Sequence, residues 1–198
     1  MRRDFDIISK IIKPNTKVLD IGCGTGELLN LLIEEKNIDG RGIEISQSGV
    51  SECVKKGLAV IQGDADTDLV YYPEKSFDYA IVSQTLQATK HPKDVVSEVV
   101  RIAKHAVFSV PNFGYWKSRF YLGFRGRMPV TKDLPYEWYN TPNIHFFTIK
   151  DFIVLCDELG YTIENSYYIC NKKKYGKPNQ NKLFANLFAS KGIFVIRD

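Results

Sequence analysis

Three closely spaced glycines constrain the fold of this chain more than any other feature of its sequence. Residues 17–21 form a short apolar run, a leucine-rich stretch starts at Glu27, and the glycines lie between them at alternate positions: Gly22, Gly24 and Gly26. Glycine permits positive φ angles and lets a ligand approach the backbone closely. The free N–H groups at the start of a helix suit an anionic ligand group. The pattern therefore predicts a strand, a ligand-binding turn and a helix.

Short apolar runs alternate with helical patterns along the first half of the chain. The apolar runs predict strands at residues 17–21, 41–45, 58–62, 79–83 and 105–110. The amphipathic stretches predict helices at 27–36, 47–56 and 94–103, the last with its start near Pro92. Strands that alternate with helices require crossover connections. We therefore predict an α/β fold with a Rossmann-like, doubly wound and mostly parallel sheet, whose ligands bind at the carboxyl ends of the strands.

The second half of the chain departs from this alternation. Residues 112–148 are rich in aromatic residues, glycine and proline, and we interpret them as a long, ordered insertion. A helix is predicted from the N-cap Thr148 to residue 159, where Gly160 ends it. Residues 161–169 and 192–197 alternate like strands, with a helix-like stretch at 182–189, and we expect an antiparallel C-terminal pair that closes the sheet. Since the chain has 198 residues, we expect one domain over 1–198 with an insertion at about 112–148.

Several protein classes are disfavoured by the composition. The four cysteines form no C-x-x-C pair and lie in apolar or small-residue surroundings, which predicts reduced core thiols and no metal site. The first residues contain acids at once and lack the apolar segment of a signal peptide. No window approaches the ~20 apolar residues of a membrane span. We therefore expect a cytoplasmic protein that does not bind membranes.

Acidic residues follow three of the predicted strands. Asp20 precedes the first glycine, Glu44 ends the second strand, and Asp64 follows the third. A dinucleotide fold requires G-x-G-x-x-G, but Glu27 occupies the third glycine position, and Asp20 would repel a pyrophosphate. An acidic strand end suits an amine or sulfonium instead. Glu44 is placed to bind a ribose diol, and the carboxylates after the third strand are placed to meet an adenine amino group.

These residues resemble the class I S-adenosylmethionine-dependent methyltransferases over about residues 16–110. The sequence D-I-G-C-G-T-G at 20–26 matches the nucleotide-binding signature of that superfamily. The resemblance implies S-adenosylmethionine or S-adenosylhomocysteine as cofactor, with its aminocarboxypropyl end near Asp20, its ribose at Glu44 and its adenine near Asp64. The full set of implied cofactor-binding residues is Asp20, Gly22, Cys23, Gly24, Gly26, Glu44, Asp64, Ala65 and Ser83.

The whole chain is also similar to a narrower family, the MetW proteins of bacterial methionine biosynthesis. The motifs that carry this resemblance are SQTLQ at 83–87, SVPNF at 109–113, residues 119–127, MPVT at 128–131 and WYNTPNIH at 138–145. MetW proteins are associated with homoserine O-acyltransferase, which carries the acyl-transfer nucleophile. The resemblance therefore implies an accessory or regulatory partner of that enzyme, and it identifies no methyl acceptor.

Residues able to perform catalysis are scarce in the sequence. The segment 83–87 lacks the N-P-P-Y type loop of amide and adenine N-methyltransferases, and neither Gln84 nor Gln87 is a general base. His91 and His105 suit structural roles. His145 is the one candidate base, although a hydrogen-bonded loop histidine is the simpler interpretation. The alternative function is an active methyltransferase that acts on a small molecule or RNA.

Positive charge is unevenly distributed. Lys and Arg number 27 against 23 Asp and Glu, and there is no acid at 99–132 or at 165–197. The second run includes three consecutive lysines at 172–174. Three interpretations remain: a solvated basic face that covers its own aromatic core, a surface that docks onto an acidic partner protein, and an RNA-binding surface. Nucleic acid is the least favoured of the three.

Overall fold

A computed structural model describes residues 2–131, 134–170, 174–175 and 182–198. The helices are α1 (Arg3–Ile11), α2 (Glu27–Lys36), α3 (Gln47–Lys55), α4 (Pro92–Ile102), α5 (Trp116–Arg125), α6 (Ile149–Glu158) and α7 (Lys182–Phe188). The strands are β1 (Lys17–Ile21), β2 (Asp39–Glu44), β3 (Ala59–Gln62), β4 (Phe77–Ser83), β5 (Ala103–Pro111), β6 (Thr162–Cys170), β7 (Lys174–Tyr175) and β8 (Lys191–Arg197).

The strands form one sheet in the order β3-β2-β1-β4-β5-β8-β6-β7. The first five strands in this order are parallel to one another, and β8 lies between β5 and β6, antiparallel to both. This arrangement confirms the predicted α/β fold with an antiparallel C-terminal pair. Because β1 to β5 run in the same direction, their carboxyl ends meet at one edge of the sheet, where the glycine turn also lies.

Helices cover both faces of the sheet. In β1, Val18 packs into the core beneath α1, α2 and α3, whereas Leu19 packs into the core beneath α4, α6 and α7. Successive side chains of a strand point to opposite faces, so strands covered on both faces are apolar throughout. This double burial explains why the central strands are visible in the sequence as continuous apolar runs.

The predicted ends of α6 are confirmed in detail. The Thr148 hydroxyl accepts a hydrogen bond from the Asp151 amide at 3.3 Å, and the Asp151 carboxylate accepts one from the Thr148 amide at 2.8 Å, which together form a capping box. Gly160 follows the helix with φ +75° and lets the chain leave in a left-handed conformation. The other predicted elements agree with the structure to within two residues at most ends.

Two helices were absent from the sequence prediction. Helix α1 precedes the first strand and packs Phe5, Ile7 and Ile8 into the core. Helix α5 lies inside the 112–148 segment and buries Ser118 as its only fully buried residue. The aromatic residues of α5 recur every fourth position, but they lie within a segment rich in aromatic residues, glycine and proline that we interpret as an insertion without a helix.

The prediction of reduced thiols agrees with the structure. All four cysteines are free thiols, three of them buried and Cys170 half-buried. Burial raises the pKa of Cys156 to about 12 and also raises that of Cys23, so both thiols stay protonated. Within the described residues, no helix has the length and apolar character needed to cross a membrane.

Candidate functional site

The glycine turn between β1 and α2 is built on three left-handed backbone positions. Gly22, Gly24 and Gly26 have φ angles of +70°, +57° and +75°. A Cβ on Gly22 would lie 2.5 Å from the Thr85 side chain, and one on Gly26 would collide with Leu58. A Cβ on Gly24 would meet no atom within 4 Å. Two of the glycines are therefore required by packing, and Gly24 faces open space where a ligand can approach.

Two buried polar atoms beside this turn lack a partner. The Oδ1 atom of Asp20 and the Oγ atom of Ser83 are inaccessible to solvent and form no hydrogen bond with the described residues. They lie on the neighbouring strands β1 and β4 and point to the same face of the sheet. Buried polar groups in proteins almost always form hydrogen bonds. Such an unpartnered pair therefore marks a place where a ligand donates or accepts hydrogen bonds.

Burial strongly shifts the pKa of the Asp20 carboxyl. Loss of water raises the pKa of this carboxyl from 3.8 to about 7; the positive charge of Arg2 acts in the opposite direction, and the negative charge of Glu44 adds to the increase. A carboxyl with such a pKa is poised to ionise when a cation binds next to it. This property agrees with the sequence-based expectation that the acidic strand end meets an amine or sulfonium.

The Glu44 side chain points towards the glycine turn and not into solvent. Its two carboxylate oxygens accept hydrogen bonds from the backbone amides of Gly24 and Ser46, both at 2.8 Å. The side chain therefore connects the end of β2 to the glycine turn and to the start of α3. An ionised carboxylate has about four acceptor positions, so two remain for the ribose hydroxyls that the sequence analysis assigned to it.

A cavity of about 160 Å³ opens next to the glycine turn. Its lining includes Gly22, Ile43, Asp64, Ala65, Thr85 and Lys90. The Asp64 carboxylate accepts a hydrogen bond from the Asp66 amide at 2.9 Å, and Asp66 in turn accepts from the amides of Lys90 and His91. These bonds hold the loop after β3 against the start of α4. The lining contains both polar and apolar residues, which suits a purine.

The loop after β4 forms the other side of the site. Gln84 has φ +60°, and its side-chain amide donates to the Ser109 carbonyl at 3.1 Å. The Gln87 amide nitrogen donates to the Gln84 carbonyl at 2.6 Å, while the Gln87 Oε1 atom is buried without a partner. The backbone amides of Ile144 and His145 donate to the Gln87 carbonyl. The 112–148 segment is thus attached to the edge of the candidate site.

The three histidines occupy different places. His105 stacks on Tyr79 and bonds Glu164 at 2.7 Å, contacts that suit the structural role predicted for it. His91 immediately precedes α4, and its backbone amide is held by Asp66, as a structural role also requires. The Nε2 atom of His145 lies 3.3 Å from the Lys90 carbonyl oxygen. Because a carbonyl only accepts, Nε2 is the donor in this contact, and Nδ1 is the ring nitrogen that could act as a base.

A charged cluster at the start of α1 was not predicted from the sequence. Arg2 pairs with the Asp4 carboxylate at 2.7 Å, and the Lys191 Nζ atom lies 3.7 Å from the same carboxylate. Burial acts to raise the pKa of Asp4, but the bond from Arg2 and the charges of Lys191 and Arg2 lower it overall. Lys191 pairs with Pro111 at the carboxyl end of β5, so this cluster lies at the same edge of the sheet as the glycine turn.

The structure therefore brings most of the predicted cofactor residues to one edge. Asp20, Gly22, Gly24, Glu44 and Ser83 surround the turn, and Asp64 and Ala65 line the adjacent cavity. Cys23 and Gly26 support the turn by packing: the Cys23 sulfur lies against Gly42. The unpredicted members of the site are Thr85, Lys90, Arg2 and Lys191. Thr85 lies within the SQTLQ motif at 83–87, but no local motif marks the other three, because their place depends on strand register and chain packing.

A second, larger cavity lies within the 112–148 segment. Its volume is about 230 Å³, and its apolar lining comes from Phe113, Leu122, Met128, Pro129, Leu134 and Phe146. Arg119 contributes a cation to the wall. No group of three or more histidine, cysteine or acidic side chains suited to a metal was found among the described residues. Of the basic residues in the two acid-free runs, those at 132, 172–173 and 177 fall outside the described part of the chain.

Comparison with known proteins gives a family and a fold. The family model described as "Methionine biosynthesis protein MetW" matches residues 2–196. The chain is 32% identical, over 83% of its length, to the "Bifunctional methionine biosynthesis protein MetXA/MetW" of Rhodopirellula baltica, of which it spans 28%. It is 28% identical over 60% of its length to a demethylmenaquinone methyltransferase of Listeria monocytogenes, and spans 56% of that protein. The chain therefore spans less than two thirds of the length of these relatives.

Solved structures share the architecture at low identity. An S-adenosylmethionine-dependent methyltransferase from Mesorhizobium loti superposes with a TM-score of 0.71 at 16% identity, covering 100% of this chain and 98% of that one. A possible histamine N-methyltransferase from Thermotoga maritima gives a TM-score of 0.68 at 18% identity, covering 96% and 84%. The fold is therefore the one found in S-adenosylmethionine-dependent methyltransferases.

Proposed function

The chain belongs to the MetW family of methionine biosynthesis proteins, and from that premise we propose that it binds S-adenosylmethionine and acts as an accessory partner of homoserine O-acyltransferase. The observation that carries the first half of the proposal is the pair of buried, unpartnered oxygens of Asp20 and Ser83 beside the glycine turn. The second half is supported by the Rhodopirellula protein, in which MetXA and MetW parts are named together in one chain.

The residues of the site fit each part of this cofactor. Asp20 would meet the ammonium and sulfonium charges, with the Ser83 hydroxyl beside it. The two acceptor positions left on Glu44 would hold the ribose, and Asp64 and Ala65 would border the adenine in the 160 Å³ cavity. When bound, the cofactor supplies an electrophilic methyl group on sulfur. The protein itself binds, orients and desolvates that group.

A regulatory role accounts for binding without an evident catalytic apparatus. Gln84 and Gln87 hold the loop after β4, and His145 is bonded to a backbone carbonyl. S-adenosylmethionine is made from methionine, so its binding would report the supply of the end product to the enzyme that activates homoserine. A ligand changes its partner only through a difference in affinity between two states.

The test measures acyltransferase turnover in the presence of this protein while S-adenosylmethionine is titrated. We expect turnover to change along the same curve as cofactor binding followed by calorimetry. The Glu44→Gln variant should shift both curves together, and the exposed Glu158→Gln variant serves as the control. A flat turnover curve over the range in which the cofactor binds would refute the regulatory role and leave the binding site intact.

A methyltransferase that acts on a small molecule or RNA is the second candidate. The observation in its favour is His145, whose free Nδ1 lies on a segment attached to the rim of the candidate site. Radiolabelled S-adenosylmethionine, incubated with metabolite and RNA fractions of a cell extract, separates the two functions. Labelled product that disappears with His145→Ala would favour an enzyme, whereas an accessory protein yields none.

A further inference from the structure

The most unusual surface of the molecule lies on α5 and the chain that follows it. Trp116, Phe120 and Phe124 occupy successive turns of α5 and point the same way, with ring centroids 6.3 Å and 4.7 Å apart. Phe124 is 79% exposed, and Trp138 on the following chain is 71% exposed. We call the exposed apolar side chains of residues 116–139 the aromatic surface.

This surface brings together several large apolar side chains that are exposed to water. Single exposed apolar residues are common, but contiguous apolar patches mark interaction sites. The 230 Å³ cavity opens among the same residues, with Leu122 and Met128 in its wall. Its apolar lining suits a leucine- or phenylalanine-sized side chain from another molecule.

Positive charge predominates around the aromatic surface, although its segment also contains the acids Asp133 and Glu137. Lys117, Arg119, Arg125 and Arg127 surround it, and residues 99–132 contain no acid. In the part of the chain that the structure describes, none of these four cations is paired with a carboxylate. Lys117 and Arg125 instead lie over the rings of Trp116 and Tyr121. A complementary surface must therefore be apolar at its centre and acidic at its rim.

We propose that the aromatic surface is the docking site for an apolar, acid-rimmed face of homoserine O-acyltransferase. This inference rests on the proposed function, which supplies the partner. The location of the docking surface follows separately from the exposure of its side chains and from the charges around it. A second copy of the chain is disfavoured as the occupant, because a two-fold dimer through this face would bring the same cations together. In the Rhodopirellula protein, where the MetXA and MetW parts share a chain, the same contact would form within one molecule.

The position of the surface connects it with the cofactor site. The 112–148 segment that carries it is bonded through the amides of Ile144 and His145 to the Gln87 carbonyl. Gln87 follows Thr85, which contacts Gly22 of the glycine turn. An acyltransferase held at the aromatic surface would therefore be attached to the loop that borders the cofactor.

The test measures binding of the purified homoserine O-acyltransferase of the same organism to the full chain by calorimetry. The variant Phe120→Asp/Phe124→Asp should weaken binding on the order of 30-fold or more, since buried aromatic anchors dominate such interfaces. Tyr71→Asp, which changes an 82% exposed side chain after β3, is the matched control and should bind normally. Both variants should keep the affinity of the wild-type chain for S-adenosylmethionine, which shows that they are folded.

Separate variants test the contribution of the positive charges around the aromatic surface. Arg125→Glu should weaken binding about tenfold and reduce its dependence on salt, whereas Lys93→Glu on α4 should have no effect.

If the wild-type chain binds and the aromatic variant binds equally well, the docking site is wrong and the proposed function stands. If the wild-type chain does not bind the enzyme, the proposed partnership fails, and the docking inference with it. Phosphatidylglycerol vesicles and a uridine oligonucleotide are run in parallel; binding to either that depends on Phe124, without enzyme binding, overturns the proposal.

Discussion

Replacement of Asp20 by asparagine tests the central feature of the candidate site. Asp20 is 2% exposed and its Oδ1 atom has no partner, so its charged form is costly in the ligand-free protein. The native carboxyl keeps its proton up to about pH 7, whereas the unfolded chain releases it near 3.8. Since the folded state binds the proton more tightly, this group favours folding most in acid, and its contribution is lost as the pH rises from 3.8 to 7.

The size of this pH-dependent stability change follows from the difference between the two pKa values of Asp20. At 1.36 kcal/mol per pH unit, the difference between 3.8 and about 7 corresponds to about 4 kcal/mol at most. About half of it, on the order of 2 kcal/mol, is lost between about pH 5.5 and about pH 8. The Asp20→Asn variant has no ionisable group here, so its stability relative to the wild type should increase by that amount over the same range.

Urea unfolding at the two pH values measures this difference. The exposed Asp157→Asn substitution removes the same charge from the surface and should change stability equally at both pH values. Cofactor binding gives an independent readout: because its cations favour the carboxylate, wild-type affinity for S-adenosylmethionine should rise about tenfold from about pH 6 to about pH 8. The Asp20→Asn variant should bind weakly at every pH. A pH-independent stability difference, or retained affinity in the variant, would contradict the assignment of Asp20.

Four further substitutions test how the site and its surroundings are built. Glu44→Gln replaces a carboxylate that accepts two backbone N–H bonds, and calorimetry should show S-adenosylmethionine binding weakened by about 1.5–3 kcal/mol. Gly22→Ala forces a Cβ against Thr85 at positive φ and should lower the free energy of unfolding by about 2 kcal/mol or more. The same change at Gly123, where the added Cβ meets nothing within 4 Å, should stabilise α5 by up to about 1 kcal/mol in urea unfolding. Thr148→Ala removes the capping box of α6 and should cost about 1 kcal/mol, measured as a lower thermal midpoint.

The local elements of the fold were largely predictable, and α2 shows why. Its start after Gly26 and its end at Lys36 agree with the sequence prediction, because a strained glycine position and a leucine-rich helix are both encoded within a few residues. Helix α5 escaped prediction although Trp116, Phe120 and Phe124 recur at helical spacing, because its glycine- and aromatic-rich surroundings indicated an insertion and the helix buries almost nothing.

The candidate site was predictable in its residues but not in its chemistry. Glu44 was expected to be available to a ribose; the structure adds that both of its oxygens already hold backbone amides. Arg2 and Lys191 lie at opposite ends of the chain and meet at Asp4. No local motif links positions so far apart, since their contact arises only when α1 packs beside β8.

The sequence alone therefore determined the succession of strands and helices, the glycine turn and the identity of its acidic neighbours. These depend on backbone conformation and hydrophobic periodicity, which act over a few residues. Only the tertiary structure decided that Asp20 and Ser83 share one buried face, that Asp20 ionises near pH 7, and that the aromatic residues of α5 remain uncovered. Strand register, desolvation and exposure depend on every element packed nearby, and no short stretch of sequence carries that information.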